Sequence, residues 1–411
     1  MGRSASSQNK ARVVRVNMIS LLICFQLIPT LLQKKLIIYE TTHFENLSAL
    51  LVLSSTYFSE VTIFITEHSC KQLRHILKPL QLPLKINWVV QVKESNRGFI
   101  HKFFRHIFRS SYTHLHIGTL EHNKLLFAWH LRKLRHLRLS MTVHSINDYK
   151  SGLFKNIRDI SETIAKKILH NTIQHYRVLA PAMLNAFEQA FPSKQVSFIP
   201  GNFSKQTDHL TLSTNPFTIV IPGTVEAKRR NYKLVVDFFE THVKDLLHYT
   251  SLHIILAGSA DSPFGKRVTD ALHKLADQYS FRVSTFMHIL EQQEYETLYQ
   301  QADIVWAPVI LRTRGMRGVE EINAVTHSPG FITDQIYFGK PAIIPRGLQV
   351  PQQFTGCNWE YENESELVAI FTSILSRKSV LTEANRKISV ACNHFSAENF
   401  TGAFKNLLAS N

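Results

Sequence analysis

Three consecutive cations follow an apolar, strand-like segment in the second half of the chain. Residues 217–221 are almost wholly apolar, which is typical of a buried parallel strand. The segment ends at Pro222–Thr224, and the cations Lys228–Arg230 follow before a helical stretch. Arginine supplies a bidentate fork and lysine a point charge, so this loop has the chemistry to hold a diphosphate. A solvated basic turn is the alternative interpretation.

A second anion-binding segment covers residues 328–345. Pro329 and Gly330 open a helix, and the free backbone N–H groups of its first turn form an anion site. Asp334 lies one turn further on, where a carboxylate can reach the hydroxyl groups of a ribose. Gly339 is a typical helix terminator before a buried strand. The alternative role for Asp334 is that of a partner of the helix dipole.

Titratable groups of the first half could act on the substrates. His144 ends the apolar segment 139–144, and its imidazole could hydrogen-bond a substrate or take a proton from it. A histidine satisfied at the edge of the core is the alternative. Glu40, His43 and Glu45 form a second titratable cluster just after the first strand, and we rank it below His144.

Alternating apolar segments and helical patterns must position these residues. The alternation predicts parallel α/β structure, and a polar linker at 201–215 divides it into two tandem Rossmann-like domains with a cleft between them. Neither domain has a G-x-G-x-x-G or a G-x-x-x-x-G-K-[ST] run, which argues against a dinucleotide dehydrogenase and a P-loop NTPase. The expected bounds are an N-terminal extension at 1–33, domains at 34–200 and 216–395, and a final helix at 396–411 that packs back on the first domain.

This order of elements and these loops resemble glycosyltransferases of the GT-B fold, most of all the retaining family 4 and its relatives. The resemblance runs from about Lys35 to Ala409 and is strongest over residues 217–345. It implies that the first domain binds the acceptor and the second a nucleotide-sugar donor. It also implies which residues bind the donor diphosphate, namely Gly223, Thr224, Lys228, Arg229 and Gly330.

The resemblance assigns further donor contacts, and the chain also departs from the family pattern. It implies that His288 and Ile289 contact the base of the donor. It implies that Asp334 contacts the ribose or the sugar and that His144 faces the donor sugar. The family's two glutamates, which enclose seven residues, are replaced by Thr326 and Asp334. The choice between a retaining and an inverting reaction therefore stays open. The cluster of Glu40, His43 and Glu45 would face the acceptor, and His43 and Glu45 would supply the base if the reaction inverts.

The charge of the chain is strongly asymmetric. The net charge is +16, and residues 1–200 contain 27 Lys and Arg against 10 Asp and Glu, whereas residues 201–411 contain 20 against 21. This asymmetry indicates that the first half meets an anionic partner. Phe99–Tyr112 and Lys124–Arg138 mix aromatic and basic residues, which suits an anionic membrane surface. The alternative places the aromatic stripe in the core.

The composition excludes several classes of protein. Hydrophobic residues make up 44% and charged residues 19%, which excludes a disordered or fibrous chain. The four cysteines lie far apart without zinc or disulfide spacing, and this fits a reducing compartment. Residues 1–33 place basic residues before an apolar run that is short for a membrane span and lacks a small-x-small cleavage site. We expect an uncleaved extension or a start site upstream of the true one.

These observations predict a glycosyltransferase that moves a sugar from a nucleotide-sugar donor to a lipid-linked or polysaccharide acceptor. Catalysis is expected from positioning and from stabilisation of the leaving diphosphate, so neither a metal nor a cofactor is expected. The expected partners are the donor, the acceptor and an anionic membrane surface, with no nucleic acid. The expected location is cytoplasmic, on the inner face of the membrane. The alternatives are a sugar-nucleotide epimerase of the same fold and a non-enzymatic nucleic-acid-binding protein that uses the basic half.

Overall fold

The computed structural model describes residues 34–152, 156–205, 216–315 and 318–409. Two parallel sheets, each covered by helices, dominate these residues. The predicted extension at 1–33 and residues 206–215 of the predicted linker lie outside the described residues.

The first sheet has seven parallel strands in the order β3-β2-β1-β4-β5-β6-β7. The order reverses between β1 and β4, which is where open α/β sheets bind ligands. The strands are β1 Lys35–Tyr39, β2 Glu60–Thr66, β3 Lys85–Gln91, β4 His114–Ile117, β5 Arg138–Thr142, β6 His175–Val178 and β7 Gln195–Phe198. The helices among them are α1 Ser48–Ser54, α2 Glu67–Leu77, α3 Asn96–Phe108, α4 Lys124–Leu131, α5 Ile146–Lys150, α6 Ile157–Thr172 and α7 Ala182–Ala190.

The second sheet has six parallel strands in the order β10-β9-β8-β11-β14-β15, and it reverses between β8 and β11. Its strands are β8 Phe217–Pro222, β9 Leu252–Ser259, β10 Arg282–Phe286, β11 Ile304–Trp306, β14 Ala342–Pro345 and β15 Trp359–Tyr361. A separate antiparallel hairpin joins β12 Arg312–Arg314 to β13 Glu320–Ile322. The helices are α8 Tyr232–Leu246, α9 Pro263–Tyr279, α10 Gln292–Gln301, α11 Gly330–Phe338, α12 Glu364–Ser376, α13 Lys378–Cys392 and α14 Thr401–Leu407.

The two Rossmann-like domains expected from the sequence are confirmed by these sheets. β8 and β9 are buried at every position, as parallel strands covered on both faces must be. The sequence does not predict β12, β13 or β15. Each is three residues long and carries charged side chains, so none has the apolar run that marks a buried strand.

Helix α3 corrects the expectation that its aromatic stripe meets a membrane. The stripe is buried in the core of the first domain, through Phe99, Ile100, Phe103, Phe104 and Ile107. These residues recur at spacings of three and four, so they form the one face of the helix that packs on the sheet. Phe108 is exposed. Within the described ranges, no helix is both long enough and apolar enough to cross a bilayer.

The last helix of the chain lies on the first domain. α14 contacts β6, β7 and α1, although it follows the whole of the second domain in sequence. Arg138 at the start of β5 donates a hydrogen bond to the carbonyl oxygen of Leu408, over 3.2 Å. The chain thus crosses from the first domain to the second and returns.

Arg177 ties together the loops at the carboxyl edge of the first sheet. It lies on β6 and is fully buried. Its guanidinium donates to the carbonyl oxygens of Ile199 at 2.9 Å and Asn46 at 2.6 Å, and to that of Pro200. Burial lowers the pKa of Arg177 to about 9, while the charge of Glu40 acts to raise it. The side chain therefore stays charged at neutral pH and fixes the loops that follow β1 and β7.

We expect Arg177→Ala to destabilise the protein, because each buried carbonyl left without a donor costs about 1–3 kcal/mol. The free energy of unfolding should fall by roughly 3 kcal/mol or more, measured by urea unfolding followed by circular dichroism. Arg132→Ala is the matched control, because Arg132 is exposed and its guanidinium stacks on the Trp129 ring at 5.4 Å. Equal stability of the two variants would contradict this role for Arg177.

Candidate functional site

Glu40 is a buried carboxylate at the point where the strand order of the first sheet reverses. Its oxygens accept hydrogen bonds from the backbone N–H groups of Thr42 at 2.8 Å and His43 at 2.9 Å, and from Thr119 Oγ1 at 3.1 Å. A Cβ at Gly118 would overlap the Glu40 carboxylate, so only glycine fits there. Burial raises the pKa of Glu40, although the charge of His43 and the two backbone donors act to lower it. Glu40 thereby orders the loops after β1 and β4.

His43 and His144 face each other over these loops. Their rings stack with centroids 4.6 Å apart, and Nδ1 of His43 lies 2.9 Å from Oε1 of Glu45. Burial acts to lower the pKa of His43, but the hydrogen bond and charge of Glu45, with the charge of Glu40, outweigh it and raise the pKa to about 9. His43 is therefore an imidazolium at neutral pH and can donate a hydrogen bond to an anionic group.

His144 is the neutral partner in this stack. It lies two residues beyond the end of β5, rather than ending the strand, and its Nε2 is 3.2 Å from Thr119 Oγ1. Burial and the charges of His43 and Arg177 hold its pKa well below the usual value. Thr119 was not predicted from the sequence, although its place just after β4 is the signal that could have found it.

The second domain brings Arg230, rather than Lys228, to the loop after β8. Gly223 has a φ of 86°, and the Arg230 guanidinium fills the space that a Cβ there would need. Nη1 of Arg230 donates to the carbonyl oxygen of Thr224 at 3.3 Å. A Cβ at Gly258, on the neighbouring strand β9, would overlap the backbone of Gly223. The loop is therefore held tightly, with one guanidinium across it.

The predicted diphosphate ligands Lys228 and Arg229 lie beside this loop and make other contacts. The Arg229 side chain hydrogen-bonds Oε1 of Glu226. Lys228 lines a cavity of about 480 Å³ together with Arg312 and Arg314 of the β12–β13 hairpin. The sequence shows three adjacent cations, and only the fold tells which of them lies over Gly223. Their roles as donor ligands stay a prediction.

Asp334 lies on α11 and is held by two tyrosines of α10. Its Oδ2 accepts hydrogen bonds from the hydroxyls of Tyr295 at 2.7 Å and Tyr299 at 3.2 Å. Burial raises its pKa to about 7, while these two hydrogen bonds act to lower it. The charges of Glu45 and Arg230 also act on Asp334, so it lies within electrostatic reach of both sides of the cleft. Its proposed contact with a ribose stays a prediction.

The remaining predicted donor residues are exposed. Gly330 is the first residue of α11, with open space around it that leaves room for an anion at the helix N-terminus. His288 and Ile289 follow β10, where His288 Nε2 lies 3.1 Å from Oε2 of Glu294 and Ile289 is 74% exposed. Among the described residues, no group of three or more His, Cys, Asp or Glu side chains is arranged to hold a metal ion.

The β12–β13 hairpin joins the two domains through Glu321, which the sequence did not predict. Glu321 is 1% exposed, and its carboxylate accepts from the Asp148 backbone N–H at 2.7 Å, from Ser145 Oγ and from Thr326 Oγ1. The Ile146 backbone N–H donates to the carbonyl oxygen of Thr326 at 2.7 Å. Residues of the second domain thus satisfy the first turn of α5, directly after His144.

Comparisons with known proteins agree with this architecture. No family model and no curated protein sequence matches the chain, but solved structures do. A glycosyltransferase from Rickettsia africae has a TM-score of 0.60 at 11% identity, over 92% of this chain and 100% of that one. Anabaena HepE, solved with UDP and glucose, has a TM-score of 0.56 at 13% identity, over 90% and 98%. This chain has the GT-B fold.

A third similar structure widens the range of chemistry found on this fold. A candidate UDP-N-acetylglucosamine 2-epimerase from Listeria monocytogenes has a TM-score of 0.56 at 12% identity, over 91% of this chain and 94% of that one. At these identities the similarity establishes the fold, and the chemistry must be argued from the residues.

We expect Glu45→Gln to lower the pKa of His43 from about 9, because the charge of Glu45 then no longer opposes the effect of burial. Histidine ring resonances followed by NMR over pH 5–10 measure this pKa. Glu294→Gln is the matched control, because Glu294 contacts the exposed His288 instead. An unshifted His43 titration in Glu45→Gln would contradict the assignment.

The same pair makes stability depend on pH. Because the folded pKa of His43 is raised, its stabilisation is fully present below the unfolded pKa of about 6.5 and is lost as the pH rises through about 9. Glu45→Gln should therefore destabilise the protein more at pH 6.5 than at pH 10, as measured by urea unfolding at the two pH values. An equal loss at both would show that Glu45 acts without His43.

Proposed function

We propose that this protein is a glycosyltransferase that uses a nucleoside-diphosphate sugar. The observation that carries the proposal is the pairing of groups across the cleft. Arg230 spans the tight loop at Gly223, and the protonated His43 stacks on the neutral His144 opposite. The GT-B fold and the UDP and glucose bound to Anabaena HepE support a UDP-sugar as the donor.

The donor diphosphate is proposed to lie between Arg230 and the N-terminus of α11. A guanidinium and the free N–H groups at Gly330 both favour a group that carries negative charge. Thr224 and the neighbouring cations Lys228 and Arg229 can extend this site, and Asp334 is suited to the hydroxyls of the ribose. His288 and Ile289 would then meet the base from the end of β10.

The reaction breaks the bond between the anomeric carbon and the diphosphate oxygen. The same carbon forms a bond to an acceptor oxygen, whose proton is taken up by the departing diphosphate. Negative charge grows on the diphosphate as it leaves. Arg230, the α11 N-terminus and the His43 imidazolium are the groups placed to stabilise that charge. The neutral His144, held by Thr119, is suited to hydrogen-bond the sugar rather than the anion.

We propose that the acceptor is lipid-linked or a saccharide and is met at an anionic membrane surface. The excess of cations in residues 1–200 supports this, and so do apolar side chains that the fold leaves in solvent. Ile157, Ile160 and Ile164 of α6 are 86%, 39% and 46% exposed, at the spacing of one helix face. Trp129, on the adjacent helix α4, is 56% exposed. These residues replace the buried stripe of α3 as the proposed membrane surface.

The helix that carries this surface is joined to α5. α6 follows α5, and α5 follows His144, so Ile157 lies close in sequence to the site. Lys166 of α6 donates to Asp148 Oδ2 of α5 at 3.1 Å, which joins the two helices. A lipid carrier held at α6 would therefore present its sugar near the cleft, on the cytoplasmic side of the inner membrane.

An epimerase acting on a UDP-sugar is the second candidate, favoured by the similarity to the Listeria monocytogenes structure. It would need the donor site but no acceptor and no membrane. Incubation with UDP-N-acetylglucosamine, without an acceptor and followed by NMR of the sugar, separates the two. Inversion at a ring carbon without release of UDP would favour the epimerase.

We expect Arg230→Ala to weaken UDP binding roughly tenfold or more, because a charge-assisted hydrogen bond contributes about 1.5–3 kcal/mol. Isothermal titration calorimetry with UDP measures the affinity. Lys233→Ala is the matched control, because Lys233 is exposed on α8 and pairs with Asp237. We expect a smaller loss in a Lys228→Ala, Arg229→Ala double variant. If the double variant lost much of its UDP affinity and Arg230→Ala lost none, Lys228 and Arg229 would be the diphosphate ligands instead of Arg230.

We expect the wild-type protein to sediment with anionic phospholipid vesicles, and the binding should fade with added salt because salt screens the cations. Replacing Ile157, Ile160 and Ile164 together by serine should reduce the bound fraction several-fold. Val390→Ser is the matched control, because Val390 is 56% exposed on α13 of the second domain. Unchanged binding of the triple variant, or equal binding to neutral vesicles, would contradict the proposed surface.

A further inference from the structure

His327 lies in the turn between β13 and α11, and its hydrogen bonds define which nitrogen of its imidazole ring carries the hydrogen. The amide of Asn323, which is 3% exposed, donates from Nδ2 to the carbonyl oxygen of Ile310 at 2.7 Å. This fixes the amide orientation and leaves Oδ1 facing Nδ1 of His327 at 3.1 Å. An amide oxygen only accepts, so Nδ1 of His327 must carry the hydrogen and Nε2 must keep a lone pair.

The turn that holds His327 is locally strained and is closed by backbone hydrogen bonds. Ala324 has a φ of 69°, in the left-handed region that a residue with a side chain seldom adopts. Its backbone N–H donates to the His327 carbonyl oxygen at 2.7 Å, and the His327 N–H donates to that of Ile322 at 3.2 Å. Strain of this kind persists where the surrounding structure over-determines the backbone, and it concentrates at functional sites. Here it fixes the place of one imidazole.

His327 is held beside the histidines of the first domain. The Ser328 backbone N–H donates to the His144 carbonyl oxygen at 3.1 Å, and His327 forms a backbone bridge with Ser145. His327 is half-buried, and within the described residues its Nε2 has no hydrogen-bond partner. It is therefore open to solvent at the junction of the two domains.

The surroundings of His327 decide what its lone pair can bind. Burial and the charges of Arg229 and His43 lower its pKa to about 4, so the ring is neutral at physiological pH. A lone pair repels an anionic diphosphate oxygen, which the neighbouring cations bind instead. A neutral hydroxyl group is the donor that suits it.

We propose that Nε2 of His327 accepts a hydrogen bond from a substrate hydroxyl in the cleft. This inference rests on the proposed glycosyltransferase function, and it adds a substrate-contacting residue from the second domain. The hydroxyl belongs either to the transferred sugar or to the acceptor, and both present the same chemistry to the imidazole.

UDP and UDP-glucose serve as probes, with UDP-glucose hydrolysis as the reaction in which water replaces the acceptor. His327→Ala should leave UDP affinity within about twofold of the wild type, because UDP lacks the transferred sugar. If the hydroxyl belongs to the sugar, UDP-glucose affinity should fall about tenfold. If it belongs to the acceptor position, UDP-glucose affinity should hold and the hydrolysis rate should fall about tenfold. His327→Gln, whose side-chain oxygen also accepts, should restore part of either loss.

Three results would overturn the inference. Unchanged UDP-glucose affinity and hydrolysis in His327→Ala would remove His327 from the site while leaving the proposed function in place. An equal loss of UDP and UDP-glucose affinity would show a structural role. Nitrogen NMR of the wild-type ring, recorded without any nucleotide, would reject the assignment if Nδ1 proved unprotonated at neutral pH. Failure of the wild type to bind either probe would overturn the proposed donor, and the role of His327 with it.

Discussion

Glu321 belongs to the second domain, and its carboxylate is buried. Two of its hydrogen-bond donors, the Ser145 hydroxyl and the Asp148 backbone N–H, belong to the first domain. A buried carboxylate without donors is costly, so this contact favours one relative placement of the two domains. The contact also completes α5, a helix of five residues that cannot satisfy its own first N–H groups. The position of His144, just before α5, therefore depends on a residue of the other domain.

The cleft that results has an uneven distribution of charge. The rings of His43 and His144 are stacked, so a positive charge on one ring disfavours a charge on the other. Glu45 raises the pKa of His43, and His43 is therefore the protonated member of the pair. Arg230 adds a second fixed positive charge from the opposite side, while Asp334 is held by two tyrosines at a raised pKa. The arrangement favours a ligand with an anionic end and a neutral, hydroxyl-rich end. A nucleotide sugar has that form.

The sequence predicted the two sheets because their strands are apolar runs bounded by turns. It also predicted that the loops after these strands carry the candidate site, and His43, Glu45 and His144 lie in such loops, whereas Asp334 lies on α11. The sequence could not show which of Lys228, Arg229 and Arg230 lies over Gly223. Adjacent side chains point in different directions, and the backbone conformation sets those directions. Glu321 lies on a short charged strand without an apolar signal, and its role comes from contacts across the domains. The buried stripe of α3 and the exposed isoleucines of α6 have similar hydrophobic spacing, and only packing separates them.

The contact between Arg230 and Gly223 restricts which substitutions evolution can make in this loop. The guanidinium occupies the volume of the missing side chain, and Gly258 presses on the same turn from the next strand. A mutation to any larger residue at Gly223 would expel the arginine, and a lineage that lost the arginine would leave a hole over the glycine. The three positions are therefore expected to be inherited as a unit, and relatives that differ at one of them should differ at the others.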